Sequence, residues 1–335
     1  MKLVKASCEI LDQRESVDPQ DIWTQIELAG RTCYKSEDHI TPDSAIKFVK
    51  MLINSGHGAM LEHGTVYLYD QYDVSAIGSW QSSLAEKYSK NPYSRVHYDD
   101  HMDLRGIYIT TNYRVLVENN WLDDLKYLCS PSDYHERRIT FKFMCDRITG
   151  ESFLRHRAID EDHNELEIAV TREMEKDMDS YARESTRYCN YSKAKFGNNI
   201  KFVIPTSVMT NFDMDMEYKN GFKSTWKLLK NIFSSKNSNV PLRNKATDLE
   251  WLASCITSEK TYFKLLKLGW MPQFARYALS FSILSPLVMT GFVEDWDHFL
   301  KLRTAASAHP DAQVLAKEVK RILDARPELH KFKKD

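Results

Sequence analysis

TFKFMCDRI, residues 140–148, decides the predicted fold class. Aromatic and β-branched side chains alternate along it, which is typical of a strand with one buried face. RGIYITTN (105–112) has the same pattern, and TVYLYD (65–70) is also predicted as a short strand. IKFVIP (200–205) is a fourth, ended by Pro205. Several short strands are therefore expected between residues 65 and 205.

Helices are predicted around these strands. TPDSAIKFVKMLINSGHG (41–58) has Thr41 as N-cap, Pro42 at the first helical position and Gly56 as its stop. Three more helical segments are predicted: YDVSAIGSWQSSLAEKYSK (72–90), KATDLEWLASCITSEKTYFKLLKLGW (245–270) and EDWDHFLKLR (294–303). Strands and helices intermix without regular βαβ alternation, so we predict an α+β fold. Rossmann and P-loop motifs are absent, so any dinucleotide is bound without such a glycine-rich loop.

Composition limits the classes of function. Among 335 residues, 46 are Lys or Arg and 47 are Asp or Glu, for a formal net charge of −1. This balance argues against a general nucleic-acid coat, so an anion site is expected to be local. The six cysteines form no C-x-x-C pair, and no signal peptide or long apolar run occurs. We therefore expect a cytoplasmic protein with reduced thiols, no metal site and no membrane contact.

An acidic segment stands out between residues 160 and 180, DEDHNELEIAVTREMEKDMDS. Leu166, Val170 and Met174 recur at helical spacing, which predicts a solvated amphipathic helix. We interpret it as a surface insert of about residues 158–182. No repeat or linker divides the chain, so residues 1–335 are predicted to form one domain.

Several cations stand where an anion could bind. In ESFLRHRAIDED (151–162), Arg155, His156 and Arg157 follow an apolar pair. In ARESTRYCNYS (182–192), Ser185 and Arg187 would face one side of an extended backbone and could bind a phosphate, although the motif taken alone favours a capped helix start. Two further arginines, Arg276 and Arg303, lie in apolar surroundings. Each is either aimed at an anion or a surface arginine with a buried stem.

Taken together, these blocks resemble the flavin-dependent thymidylate synthases (the ThyX family). RHR followed by ESTRY looks like the family signature. Further blocks match in order, from about residue 28 to residue 313: GRTCYKS (30–36), GHGAMLEH (56–63), TNYRVL (111–116), ARYALS (275–280) and WDHFLKLR (296–303).

This resemblance implies an activity and its cofactors. Members of the family have their own α+β fold, with a mixed or antiparallel sheet flanked by helices, and form homotetramers with sites shared between subunits. They bind FAD and dUMP, take a methylene from methylenetetrahydrofolate, use NADPH as reductant and make dTMP. The reduced flavin supplies the hydride and no cysteine attacks the pyrimidine, which agrees with the lack of a recognisable nucleophilic cysteine here.

The resemblance also assigns residues. On the flavin side it implies His57, Ala59, Arg155, His156, Arg157, Arg183, Phe292 and His298. On the dUMP side it implies Ser152, Arg183, Glu184, Ser185, Arg187, Arg276 and Arg303. Arg303 matches the arginine that activates the uracil by stabilising charge on its ring amide, and is the expected catalytic residue.

This chain departs from the family at four places. The acidic segment lengthens the usual connection by about twenty residues, and the family's Asn-Glu pair is replaced by Ala182 and Arg183, with Glu184 adjacent. Ser152 stands for an expected glutamine, and Phe292 for an asparagine that contacts FAD. These changes leave two alternatives: a relative with altered pyrimidine specificity, or a lapsed nucleotide- or flavin-binding module. Retention of Arg187 and Arg303 argues against the second.

Overall fold

The protein is described by a computed structural model. It describes residues 1–15, 17–73, 83–99, 104–154, 180–185, 189–193, 197–218 and 222–330. The strands are β1 (Lys2–Val4), β2 (Ser7–Ile10), β3 (Thr65–Asp73), β4 (Arg95–Asp99), β5 (Leu104–Asn112), β6 (Arg138–Met144), β7 (Ser180–Arg183), β8 (Lys201–Val203) and β9 (Leu287–Phe292). The helices are α1 (Pro19–Tyr34), α2 (Ser44–Asn54), α3 (Ser83–Ser89), α4 (Tyr113–Glu118), α5 (Arg147–Phe153), α6 (Phe222–Ile232), α7 (Leu242–Lys267), α8 (Pro272–Ala275), α9 (Val293–Arg303) and α10 (Pro310–Asp324).

The strands form three sheets in the described part of the chain. The largest has the order β2-β6-β9-β7 and is antiparallel throughout. The second, β3-β5-β4, is also antiparallel, whereas β1 and β8 form a parallel pair. Helices flank these sheets without βαβ repetition, which confirms the predicted α+β class with mixed and antiparallel pairing.

Four hydrophobic clusters hold the described elements together, and the smallest joins Ala29 of α1 to Ala182 of β7 and Val288 of β9. The first joins α1 and α2 to the β3-β5-β4 sheet, and the second joins β1 and β8 to α7. The third packs Phe141 and Phe143 of β6 against Phe153 of α5 and against Trp296 and Phe299 of α9. Alternate residues of β6 face this core, because successive side chains of a strand point to opposite sides of the sheet.

Most predicted elements are confirmed, with boundaries that tertiary contacts move. The predicted helix at 41–58 begins at Ser44, two residues after Pro42, and stops before Gly56, which adopts φ 67°. Segment 140–148 is a strand only to Met144, since Asp146 caps α5 by accepting the N–H of Thr149 at 2.9 Å. The predicted strands at 65–70, 105–112 and 200–205 and the helices at 245–270 and 294–303 are observed.

Two predictions are corrected or fall outside the described residues. The helix predicted at 72–90 is wrong at its start, because residues 72 and 73 belong to β3, and the observed helix is Ser83–Ser89. Residues 74–82 lie outside the described part. So does the acidic segment up to residue 179. Its last residue, Ser180, begins β7, so the end of the predicted insert, Ser180–Ala182, is a strand paired with β9 and is not helical.

None of the described helices is both long and apolar enough to cross a bilayer. All six cysteines lie in described residues, and none of them forms a disulfide.

Candidate functional site

A cleft of about 480 Å³ lies where the end of α1, the turn after α2 and the residues after β7 meet. It is lined by Cys33, Tyr34, Gly56, His57, Gly58, Ala59, Met60, Arg114, Glu118 and Ser185. Three residues assigned by resemblance thus come together: His57 and Ala59 from the flavin side and Ser185 from the dUMP side.

Backbone geometry builds this cleft. Lys35 ends α1 in the left-handed region, with φ 46°, and the Cys33 carbonyl accepts the N–H of Ser185 at 2.9 Å. A Cβ on Gly58 would lie 3.1 Å from a carboxylate oxygen of Glu118 and 3.2 Å from Arg114 Nε. The missing side chain at Gly58 therefore lets the turn approach α4 closely.

One wall of the cleft is a pair of rings, Tyr34 and His57. The Tyr34 hydroxyl lies 2.6 Å from His57 Nδ1, and the two ring planes differ by 21°. The hydrogen bond to Tyr34 engages Nδ1, which leaves Nε2 as the ring nitrogen available to a ligand.

The thiol in the cleft is not a nucleophile. Cys33 Sγ lies 3.6 Å from Met60 Sδ, and burial raises the pKa of the Cys33 thiol to about 12. Since the thiolate is the reactive form, Cys33 stays a neutral thiol at physiological pH. The cleft therefore offers sulfur and aromatic surface without covalent chemistry by cysteine.

The rim of the cleft carries a charge cluster. Arg114 donates to Glu118 Oε1 at 2.6 Å and also to Glu62 Oε1. One guanidinium and two carboxylates give this cluster a net negative charge. Arg114 is thus held by carboxylates at this edge of the cleft.

Glu184 belongs to a buried cluster beside the cleft and is not among the lining residues. The Tyr191 hydroxyl donates to Glu184 Oε1 at 2.6 Å, and Lys35 Nζ lies 3.7 Å from the same oxygen. Burial raises the pKa of the Glu184 carboxyl, and Lys35 opposes this shift. Since Ser185 follows directly, the cluster anchors the backbone that presents Ser185 to the cleft.

Arg183 faces α5. Its guanidinium donates to Glu151 Oε1 at 2.6 Å and to the Arg147 carbonyl at 3.0 Å. It lies so close to Gly150 that a Cβ there would be 2.1 Å from Arg183 Nη2. Ser152, on the same helix, donates to the Thr149 carbonyl at 2.6 Å. Arg183 and Ser152, both predicted to bind ligands, therefore form hydrogen bonds with residues of α5.

Phe292 lies toward the opposite end of β7 from Ser185. It is 7% exposed and packs between Arg95 and Arg138, whose guanidinium carbons lie 4.8 Å and 5.6 Å from its ring centroid. Nearby, His63 is fully buried, lies 2.8 Å from Thr290 Oγ1, and has its pKa lowered to about 3, chiefly by burial. His63 is therefore a buried, neutral histidine held by Thr290.

Other predicted residues lie on different elements. Arg276 is on the short helical turn Arg276–Ala278, which packs against α7, and His298 and Arg303 are half-buried on α9. None of these three lines the cleft within the described chain. Arg155, His156, Arg157 and Arg187 lie outside the described residues.

Sequence reasoning missed Cys33, Tyr34, Met60, Arg114 and Glu118 as cleft residues. The signal was present for four of them, because Cys33, Tyr34, Met60 and Arg114 stand in the blocks GRTCYKS, GHGAMLEH and TNYRVL. What was missing was their spatial proximity, since these blocks are far apart in the chain.

The fold and the site together define the class of protein. It is an α+β protein with a cleft lined by aromatic, sulfur-containing and charged side chains. The chain belongs to the thymidylate synthase complementing protein family, whose model matches residues 130–326. No curated protein sequence matches it.

Two solved structures resemble the chain distantly. One is a UMP/dUMP methylase, PolB from Streptomyces cacaoi, bound with 5-Br UMP. It has 14% identity and a TM-score of 0.40 over 98% of this chain and 94% of that one. The same methylase bound with 5-Br dUMP has 14% identity and a TM-score of 0.38, over 98% and 95% of the two chains.

Proposed function

We propose that this protein is an FAD-dependent thymidylate synthase, which methylates dUMP reductively to dTMP. Methylenetetrahydrofolate would be the carbon donor and NADPH the reductant. Family membership supports the reaction class. The single structural observation that carries the proposal is that His57 and Ala59 share one cleft with Ser185, residues matched to flavin and to nucleotide.

The cleft suits a flavin ring in shape and donors. The Tyr34–His57 pair forms a flat aromatic wall, and His57 Nε2 would exchange a hydrogen bond with a ring heteroatom. When bound, the flavin supplies the hydride for methyl formation. The flavin-side residues remain the proposed set: His57, Ala59, Arg155, His156, Arg157, Arg183, Phe292 and His298. Of these, Arg183 and Phe292 already have protein partners, so we propose that they shape the surroundings of the site.

The proposed dUMP side combines Ser185 and Arg187 with Arg276 and Arg303. Ser185 hydroxyl and the Arg187 guanidinium would hold the phosphate. Arg303 would stabilise the negative charge that develops on the uracil, because its guanidinium is planar and always charged. Ser152 and Glu184 would support the nucleotide side indirectly, because their polar atoms are engaged with Thr149 and Tyr191.

We propose a homotetramer with shared sites and one domain over residues 1–335, carrying the insert at about 158–182. Arg276, His298 and Arg303 lie on elements outside the cleft lining of their own chain. Assembly would allow one chain to complete the cleft of another. We also propose a cytoplasmic location, where folate and NADPH are available.

The test is tritium release from dUMP labelled at C5, with methylenetetrahydrofolate and NADPH, together with release of FAD on denaturation. The parent enzyme should release tritium. Arg303→Lys should lower that rate by about a hundredfold or more, because a point charge does not replace the planar fork. Reduction of bound flavin by NADPH should continue, since it needs no uracil activation.

Arg321→Lys, an exposed arginine paired with Glu318, is the matched control and should behave like the parent. Absence of tritium release from the parent, with FAD bound, would contradict the proposal. Release from UMP but not dUMP would favour the alternative of altered pyrimidine specificity. Absence of flavin would favour the lapsed binding module.

A further inference from the structure

A strongly basic surface lies on α6 and the start of α7, far along the chain from the cleft residues. Residues 218–247 contain no Asp or Glu, and their basic residues are Lys219, Lys223, Lys227, Lys230, Lys236, Arg243 and Lys245. With 47 acids in 335 residues, a stretch of this length would hold about four by chance. The near-zero net charge of the whole chain conceals this local segregation.

The described cations of this surface have no acidic partner among the described residues. Lys223, Lys227, Lys230, Lys236, Arg243 and Lys245 are described, and no ion pair joins any of them to a described carboxylate. Lys245 is only 7% exposed, and its ammonium lies 5.4 Å from the ring centroid of Phe233. A nearly buried cation without an acid favours an external anion, because charge burial without compensation is costly.

Two aromatic rings project from the same surface. Trp226 is 56% exposed and Phe233 is 61% exposed. Phe233 continues the helical pattern of α6, since its N–H donates to the Leu229 carbonyl at 3.0 Å. A separation of seven residues puts both rings on one face, about 10 Å apart. Lys230 lies between them, with Nζ 5.5 Å from the Trp226 ring centroid.

We propose that this basic aromatic face, Lys223 to Lys245, binds single-stranded nucleic acid. Bases would stack on Trp226 and Phe233, and phosphates would contact the lysines between and beside the rings. Aromatic platforms interleaved with cations are the usual means of holding a single strand without sequence preference. The inference concerns a second surface and does not depend on the reaction catalysed in the cleft.

Two other occupants fit less well. A bilayer would need more apolar area, but Ile232 is buried in the second core and Leu228 packs against it, which leaves mainly the two rings and Leu242. A second copy docking through the same face would oppose like charges, because a two-fold interface pairs a patch with itself.

The experiment measures fluorescence anisotropy of labelled oligothymidylate and oligouridylate with the full-length protein, across a salt titration. The parent should bind. The triple variant Lys223→Gln, Lys227→Gln, Lys230→Gln should bind at least tenfold more weakly, and the slope of log affinity against log salt should fall by about 2. Trp226→Ala and Phe233→Ala should each weaken binding about fivefold or more and leave that slope unchanged.

A charge-matched control is Lys47→Gln, Lys50→Gln, Lys317→Gln, three exposed lysines on α2 and α10. It should bind like the parent. Failure of the parent to bind, equal loss in the control, or competition by saturating dUMP would overturn the proposal. Binding to phosphatidylserine vesicles in place of oligonucleotide, or a changed oligomeric mass in the α6 variants, would overturn it in favour of a membrane or a second copy. Unchanged circular dichroism in each variant checks the fold.

Discussion

At the scale of single residues, contacts within the protein restrict what each side chain in and beside the cleft can do. Burial keeps Cys33 protonated, with a pKa of about 12, so it packs against Met60 and does not react. Tyr34 fixes the orientation of His57. Glu184 is drawn into a buried cluster with Tyr191 and Lys35. Ser185, two residues after the end of β7, is the polar residue that this segment places in the cleft lining.

Tyr34→Phe tests the role of the ring pair. Loss of one hydrogen bond to His57 should weaken FAD binding by roughly two- to tenfold, since a net hydrogen bond contributes about 0.5–1.5 kcal/mol. Equilibrium dialysis measures the dissociation constant, and Tyr277→Phe, an exposed tyrosine, is the control. In a His57→Ala background, Tyr34→Phe should have little further effect, because the two residues act as one unit. Equal losses in both backgrounds would contradict this coupling.

At the scale of elements, the C-terminal end of β7 carries two contacts that bear on the site. Arg183 ties the strand to α5, the helix that leads directly to Arg155, His156 and Arg157. Ser185 follows two residues later in the cleft. One short stretch of backbone therefore connects α5 with the cleft.

Gly150→Ala tests this contact between α5 and β7. The added methyl must displace Arg183 Nη2, so the free energy of unfolding should fall by about 1–3 kcal/mol. In an Arg183→Ala background the cost should vanish, and alanine should even stabilise the helix slightly. Urea unfolding measures both differences. A loss that persists without Arg183 would mean that another neighbour of Gly150 is responsible.

Sequence predicted the elements better than their ends. Periodicity along one segment is enough to identify β5, β8, α7 and α9, because a strand or helix repeats its buried face locally. At the start of α2, Ser44 donates to Glu27 of α1 at 2.8 Å, a contact between distant residues, whereas the change from β6 to α5 is set by the local cap of Asp146 on Thr149. Residues 72–73 read as helix but form strand, since pairing with β5 overrides local preference.

At the scale of the whole molecule, two buried histidines make stability depend on pH. His63 has its pKa lowered to about 3 and His135 to about 4, in both cases mainly by burial. Both stay neutral in the folded protein, whereas the unfolded chain binds protons below its pKa of about 6.5. The stabilising contribution is therefore complete above that pH and is lost progressively as the pH falls.

Between pH 6.5 and 5, the free energy of unfolding should fall with a limiting slope of about 2.7 kcal/mol per pH unit, from two protons. His63→Gln should be less stable at neutral pH and should lose about half of that slope. Urea unfolding across the pH range measures it. An unchanged slope in the variant would show that His63 titrates normally in the folded state.

Some properties of this protein followed from the sequence by itself. The α+β class, most helices and strands, and the family all depend on patterns within short segments, which local backbone and side-chain chemistry determine. Tertiary structure decided which segments meet. It placed Cys33 and Tyr34 beside His57 and Ser185, turned Arg183 toward Glu151, and put Arg276 and Arg303 outside the cleft of their own chain. These outcomes depend on strand order and on competition for buried partners, which act between residues that are distant in the chain.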